Sequence, residues 1–312
     1  SVGLDRMVVY TEGAADSGTY WLVDIDKKSA RPIGSARPMI KAEDLGEVRT
    51  VHYQAGDGLA LDGVLTLPPK SAGKGLALVV LLEGGPSRVR NSPNLNMLAQ
   101  TFASRGYAVL QPNYRGMLGY GEAFRKAAEG EVGRKLQTDI SDAVAALART
   151  GVIDPQRVCI AGSGYGAYAA LAGVTLQNGV YRCAVGRDGV YDLANFDASV
   201  RRLAATDLRA MTSKLARLGP VASQDLKAIS PVVHAGRADA PILLVSTEVV
   251  EETRSDQSRR MERGLRDAGK AVEVFVDPDP KSRDEQGRSD EDRNKALLAA
   301  IVAFVERCNP PT

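Results

Sequence analysis

Arg157-Val158-Cys159-Ile160-Ala161-Gly162-Ser163-Gly164-Tyr165-Gly166-Ala167-Tyr168 is the stretch on which the reading of this chain turns. The apolar run from Val158 to Ala161 reads as a buried strand. Gly162, Gly164 and Gly166 then mark a tight turn, and Tyr168-Ala169-Ala170-Leu171-Ala172-Gly173 continues as a helix of small residues. A strand that passes through a sharp turn into a helix is the unit from which α/β sheets are assembled. The centre of the turn, between Gly162 and Gly166, is Gly164, which has no side chain to present. Ser163 stands one residue too early, and at such a turn one residue points a side chain away.

Working outward, strands and helices alternate. Val51–Tyr53 and Leu59–Leu67 read as a hairpin about Gly56-Asp57-Gly58. The apolar run Leu76–Leu82 is a buried strand, followed by a helix near Leu95–Arg105 and the strand Tyr107–Pro112. A helix near Asp139–Arg149 places Ile140, Val144 and Leu147 on one face. After the glycine turn come the strand Arg182–Val185, a helical stretch within 195–218, and the strand Ile242–Ser246. A helix carrying Met261, Leu265 and Ala268, the strand Val272–Val276 and a closing helix through Ile301 and Val305 complete the series. This order predicts an α/β fold, with a mostly parallel sheet covered by helices on both faces. Residues 1–46 differ: Met7–Tyr10 and Tyr20–Ile25 are β-rich runs around a polar stretch, and a lone pair of strands needs a neighbour to pack on. The expected division is therefore a β-rich segment, 1–46, and an α/β domain, 47–312. Asp277–Arg293, with seven acids against four bases, is expected to be a solvated loop.

Composition is that of an ordinary globular chain of 312 residues, 44% hydrophobic and 25% charged, with a net charge of +2. That charge makes no case for nucleic acid or an anionic membrane. No apolar run approaches the ~18 residues of a membrane span, and nothing at the start resembles a signal peptide. Because Ser1 runs almost directly into a strand pattern, the start is expected to be a cut within a longer protein, and the compartment stays open between cytoplasm and periplasm or secretion. Cys159, Cys183 and Cys308 have no metal-ligand spacing; Cys159 and Cys183 read as buried small hydrophobes. No cofactor or metal is implied.

Several segments, in order, carry a resemblance. They are Asp57-Gly58-Leu59, Leu67-Pro68, Gly84-Gly85-Pro86, Phe102-Ala103-Ser104-Arg105-Gly106-Tyr107-Ala108-Val109, Pro112-Asn113-Tyr114-Arg115-Gly116, Gly119-Tyr120-Gly121, Thr138-Asp139-Ile140, Ser230-Pro231 and Gln257-Ser258. Together with the glycine turn they resemble the hydrolase domain of the prolyl oligopeptidase family, closest to its acylaminoacyl-peptidase-like members, over residues 47–308. The resemblance implies an α/β-hydrolase fold and makes residues 1–46 the end of a β-propeller. It also makes the turn a nucleophile elbow, G-x-S-x-G, whose central serine here is Gly164.

The resemblance implies further site positions, and there the chain departs from the family. A serine hydrolase needs a nucleophile, a histidine to take its proton, an acid to orient that histidine, and donors for the oxyanion. The acid position falls on Val249 or Val250, with Glu248, Glu251 and Glu252 nearby. The histidine position falls near Ser282. The only histidines are His52, in the first strand of the domain, and His234, upstream of the acid strand. The first residue of the family's His-Gly-Gly-Pro is Glu83, whose carboxylate opposes a developing oxyanion. The Tyr165 backbone N–H remains as a donor. Tyr114, Arg115, Tyr120, Ser163, Arg187 and Asp188 are the other candidate cleft residues, with Arg187 and Asp188 at the carboxyl end of the sheet, where ligands bind.

Three functional readings follow. The first is a pseudoenzyme that keeps a peptidase-like scaffold for peptide or protein binding, or for assembly, homo-oligomers included. The second is a hydrolase of peptides, esters or amides with a non-standard apparatus, Ser163 or Ser282 acting with Glu248 or Glu251. The third takes Gly162-Ser163-Gly164-Tyr165-Gly166-Ala167 with Asp188 as a dinucleotide fingerprint, but the surrounding segments match the hydrolase instead.

Overall fold

The structure, a computed structural model, describes residues 5–82, 84, 90–204, 225–247, 251–277 and 290–311. Among these, β1 (Arg6–Gly13), β2 (Asp16–Asp24) and β3 (Ser29–Ser35) form a three-stranded antiparallel sheet. Asp16 fixes the first turn, its carboxylate accepting from Gly18 N, Thr19 Oγ1 and Thr11 Oγ1. The third strand is a difference from the sequence reading, which found only the two apolar runs. Ser29-Ala30-Arg31-Pro32-Ile33-Gly34-Ser35 is exposed throughout and carries a proline, which an edge strand tolerates because one side of its backbone has no neighbour to pair with.

The remaining strands form one eight-stranded sheet among the described residues, in the order β11-β10-β9-β8-β6-β7-β5-β4. They are β4 (Val48–Gln54), β5 (Ala60–Thr66), β6 (Leu76–Leu82), β7 (Ala108–Asn113), β8 (Ile153–Ser163), β9 (Cys183–Arg187), β10 (Ile242–Thr247) and β11 (Val272–Asp277). The β4–β5 and β5–β7 pairs are antiparallel and the others parallel. This is the mostly parallel sheet that the alternation predicts, as the resemblance to an α/β-hydrolase implies.

Because strand side chains alternate between faces, the sheet builds two cores. On one face, Leu78, Val80, Val158 and Ile160 pack under α3 (Lys135–Arg149), α4 (Tyr165–Thr175) and α6 (Glu251–Asp267). On the other, Val79, Cys159, Ala161 and Val185 pack under α1 (Met97–Ala103) and α7 (Asp290–Cys308). Helix α3 turns Leu136, Ile140, Ala143, Val144 and Leu147 inward, each large aliphatic contributing about 1.5–3 kcal/mol on full burial. Helix α4 is buried along its whole length. Its alanines and glycines let it lie close over the central strands, which sets the angle at which the glycine turn leaves β8.

Elsewhere along the chain the elements compare with the expectations as follows. A short helix, α2 (Glu122–Lys126), lies where no element was expected. Helix α5 (Leu193–Ala204) occupies the start of the expected helical stretch, and 205–224 lie outside the described residues. Asp277 is the buried last residue of β11 rather than part of a solvated loop, and α7 begins at Asp290; 278–289 lie outside the described residues. Finally, Cys159 and Cys183 are buried, as expected, but are not separate hydrophobes: β8 and β9 set them in register and a disulfide joins them.

Candidate functional site

β8 delivers the chain to Gly164 at the carboxyl end of the sheet's centre, and α4 starts at the next residue. Gly164 has φ 59° and ψ −116°, a conformation that side chains rarely adopt. Its N–H donates to the Arg187 carbonyl at 2.9 Å, tying the turn to β9, and its own carbonyl accepts from Tyr168 N at 3.2 Å.

The three glycines of the turn are not equivalent. A Cβ on Gly162 would collide with the Gly166 backbone, and one on Gly166 with the Leu82 carbonyl, so both close approaches require glycine. A Cβ on Gly164 would meet nothing nearer than Gly84 Cα, at 3.8 Å. Among the described residues, nothing stands closer to the place where a side chain at this position would begin.

Ser163 does not fill it. In β8 it shares a face with Cys159 and Ala161, on the α7 side, and pairs in register with Arg187. It is exposed, and among the described residues no carboxylate or imidazole hydrogen-bonds its Oγ. Tyr165 is the first residue of α4, where the backbone N–H has no intrahelical acceptor. Its ring is buried beside Tyr114 and Tyr168, with centroids 6.1 and 5.5 Å away. Burial pushes the Tyr165 phenol well above its ordinary pKa, so the hydroxyl stays protonated.

At the carboxyl ends of β9, β10 and β11 an ion cluster faces the turn. Arg187 Nη2 donates to Asp277 Oδ2 at 2.8 Å, and its Nε lies 3.7 Å from Asp188 Oδ2. Asp188 sits in the left-handed region at φ 50°. Its carboxylate accepts from Thr247 N and Thr247 Oγ1, both at 2.9 Å. Arg187 thus reaches across the end of β10 to β11. Sequence reasoning found Arg187 and Asp188 but missed Asp277 and Thr247; the one local signal was Asp277 as the last member of the alternating run Val272-Glu273-Val274-Phe275-Val276-Asp277.

Arg115 belongs to the framework. Its side chain is 3% exposed and is shared between Asp139, which is fully buried, and Asp57. Its Nε and Nη2 donate to the Asp139 carboxylate at 2.8 and 2.7 Å, and Nη1 and Nη2 to that of Asp57 at 2.9 and 3.0 Å. Burial pushes the Asp139 carboxyl up against the pull of the guanidinium. The same guanidinium, then Lys135, holds Asp57 well below the carboxylate range. Tyr114 is fully buried in the core. Tyr120 is half-buried, its hydroxyl donating to Asp62 Oδ1 at 2.5 Å, an oxygen that also accepts from Asn113 Nδ2 at 2.6 Å.

Neither histidine is brought to the turn. His52 lies on β4, four strand spacings from β8, or about 19 Å. His234 lies in the 3₁₀ segment Pro231–Arg237, its Nε2 2.9 Å from the Ala228 carbonyl. That segment runs along α4 away from the turn, since the Ile229 carbonyl accepts from the Tyr168 hydroxyl and Asp239 N donates to Val174 O. Glu83, Glu248, Val249, Val250 and Ser282 lie outside the described residues, while Glu251 and Glu252 open α6. Among the described residues no group of acids, histidines or cysteines could hold a metal ion, and no helix is long and apolar enough to cross a membrane.

Among the described residues, the turn offers the backbone N–H of Tyr165 at a helix N-terminus and no side chain at Gly164. Comparison with known proteins places this geometry. Dipeptidyl aminopeptidase BIII of Pseudoxanthomonas mexicana is 27% identical over 97% of this chain and 45% of its own length. Dipeptidyl peptidase family member 6 of Caenorhabditis elegans is 27% identical over 74% of this chain and 34% of its own. The chain thus spans less than half the length of these curated relatives. Among solved structures, a puromycin-hydrolyzing peptidase of Mycobacterium tuberculosis superposes with a TM-score of 0.78 at 24% identity, over 97% of this chain and 46% of that one. Pyrococcus horikoshii acylaminoacyl peptidase gives 0.78 at 22%, over 99% and 48%. These likenesses establish the fold, and since residues 93–310 match the family's own sequence pattern, the chain belongs to the prolyl oligopeptidase family.

Proposed function

We propose that this protein is a catalytically degenerate member of its family, a pseudoenzyme that uses the peptidase scaffold to bind a peptide or protein or to assemble with a partner. The observation that supports the reading is Gly164: the residue at the centre of the strand-to-helix turn has no side chain, and a Cβ there would meet no described atom nearer than 3.8 Å. With only His52 and His234 in the whole sequence, and both placed away from the turn, a serine put there would have no imidazole to take its proton. Acyl transfer without nucleophile and base loses most of its rate enhancement, because what remains is the oxyanion donors and binding alone. The peptide class of ligand is supported by the relatives, which are named as peptidases. The family's propeller is the natural reading of the β1–β3 sheet, supported by the greater length of those relatives.

The second reading, a hydrolase using Ser163 or Ser282, draws support from the exposure of Ser163 beside Arg187. Incubation with a fluorophosphonate serine-hydrolase probe, followed by intact-mass analysis beside an active relative, separates the two. The pseudoenzyme gives no adduct while the relative labels fully. A stoichiometric adduct that maps to Ser163 or Ser282 overturns it.

A further inference from the structure

Cys159 and Cys183 face one another on adjacent parallel strands, with Cα atoms 4.8 Å apart and a disulfide between them. That spacing lies within the range a disulfide spans without backbone movement. Both residues are 0% exposed. They sit in the core between the sheet and α7, among Ala161, Val185, Val245 and Phe304. The bond therefore joins the strand that delivers the turn to the strand whose Arg187 carbonyl holds the Gly164 N–H.

We infer that the Cys159–Cys183 disulfide is a permanent structural bond made during folding, and that the chain folds in an oxidising compartment outside the cytosol. Forming the bond from two thiols releases two protons and two electrons. The acceptor is a second disulfide, of a dithiol oxidase or a small-molecule disulfide, which leaves as two thiols by exchange through a mixed intermediate. Each exchange step needs a thiolate to reach a sulfur. With both sulfurs roofed by α7 and flanked by neighbouring strands, that access exists before the sheet closes and not after. The same burial bars reductants from the finished bond, so a regulatory cycle of opening and closing is not what this position serves. Cytosolic thiol pools keep such pairs reduced, whereas exported proteins retain them. Cys308, at the end of α7 and only partly buried, is the unpaired thiol.

The experiment counts thiols by intact mass after alkylation, on chain exported to a bacterial periplasm. Unfolded without reductant, the protein should take one label, at Cys308; unfolded with reductant, three. Three labels without reductant would overturn the bond. Native protein held in dithiothreitol should still take one label, and mapping of a new label to Cys159 or Cys183 would overturn its permanence. Chain made in a reducing cytosol, and the Cys159→Ala/Cys183→Ala variant, should both melt several degrees lower than the exported protein. Equal melting temperatures across all three would overturn the need for an oxidising compartment. None of these readings depends on whether the turn is catalytic.

Discussion

Arg115 and Arg187 each stand between two aspartates, and the contrast between them separates a buried framework from the half-exposed end of the sheet. The guanidinium of Arg115 is 3% exposed and spends its donors on Asp57 and Asp139, tying the β4–β5 hairpin tip and α3 to the loop after β7. Arg187 is 37% exposed and holds Asp277 by one short contact, with Asp188 at the looser distance of 3.7 Å. A charge saturated inside a core cannot be moved without leaving its partners stranded. A charge at the sheet's open end can exchange protein partners for water or ligand at small cost. The Arg115 site is closed on its own partners; the turn, on the reading proposed above, has the backbone of an elbow without its nucleophile.

The largest expected effect breaks the first half of that contrast. Arg115→Met leaves Asp139 buried without its cation and should destabilise the chain by about 3–5 kcal/mol, read by urea denaturation. Loss of less than about 1 kcal/mol, the figure for an exposed pair, would show that the two arginines are equivalent. The pH dependence has a defined sign. Asp57 is depressed by Arg115 and Lys135, so its contribution is fully present above its ordinary pKa of about 4 and is lost only as pH falls below that. Wild-type stability should therefore fall off more steeply below about pH 4 than that of Asp57→Asn.

The next two effects sharpen the contrast within the turn itself. Gly166→Ala drives a methyl into the Leu82 carbonyl and should cost about 1–3 kcal/mol or abolish folding, because backbone must move. Gly164→Ser places its Cβ no nearer than 3.8 Å to any described atom, and its cost is the strain of a side chain at positive φ, about 1–3 kcal/mol at most. Its serine should stay unlabelled by the fluorophosphonate probe. A labelled Gly164→Ser protein would mean that a base reaches the turn from a residue other than His52 or His234.

The order of the strands was legible in the sequence because each is a short apolar run bounded by glycines or polar residues, and alternation with helices is a local pattern. The turn was legible for the same reason, three glycines directly after Ile160-Ala161. What local pattern could not supply was partnership. Arg115 meets Asp57 and Asp139 across 58 and 24 residues. Asp277 was hidden in an acid-rich run, although its carboxylate meets Arg187 from a strand 90 residues away. The Cys159–Cys183 pairing depends on strand register, which two isolated apolar runs do not declare. β3 escaped because an exposed edge strand needs no apolar face.

The smallest expected effect tests the second half of the contrast. Arg187→Ala removes the contact to Asp277, but its side chain is more than a third exposed, so water replaces much of what is lost. The cost to stability should be about 1 kcal/mol or less and should shrink further at high salt, where an exposed pair is screened. The Gly164 turn should persist, because its tie to β9 uses the Arg187 backbone carbonyl, which alanine retains. A loss comparable to that of Arg115→Met would mean that Asp277 and Asp188 depend on Arg187 as Asp139 depends on Arg115. The carboxyl end of the sheet would then be a sealed plug and not an open cleft, and a peptide ligand would have to be sought elsewhere on the molecule.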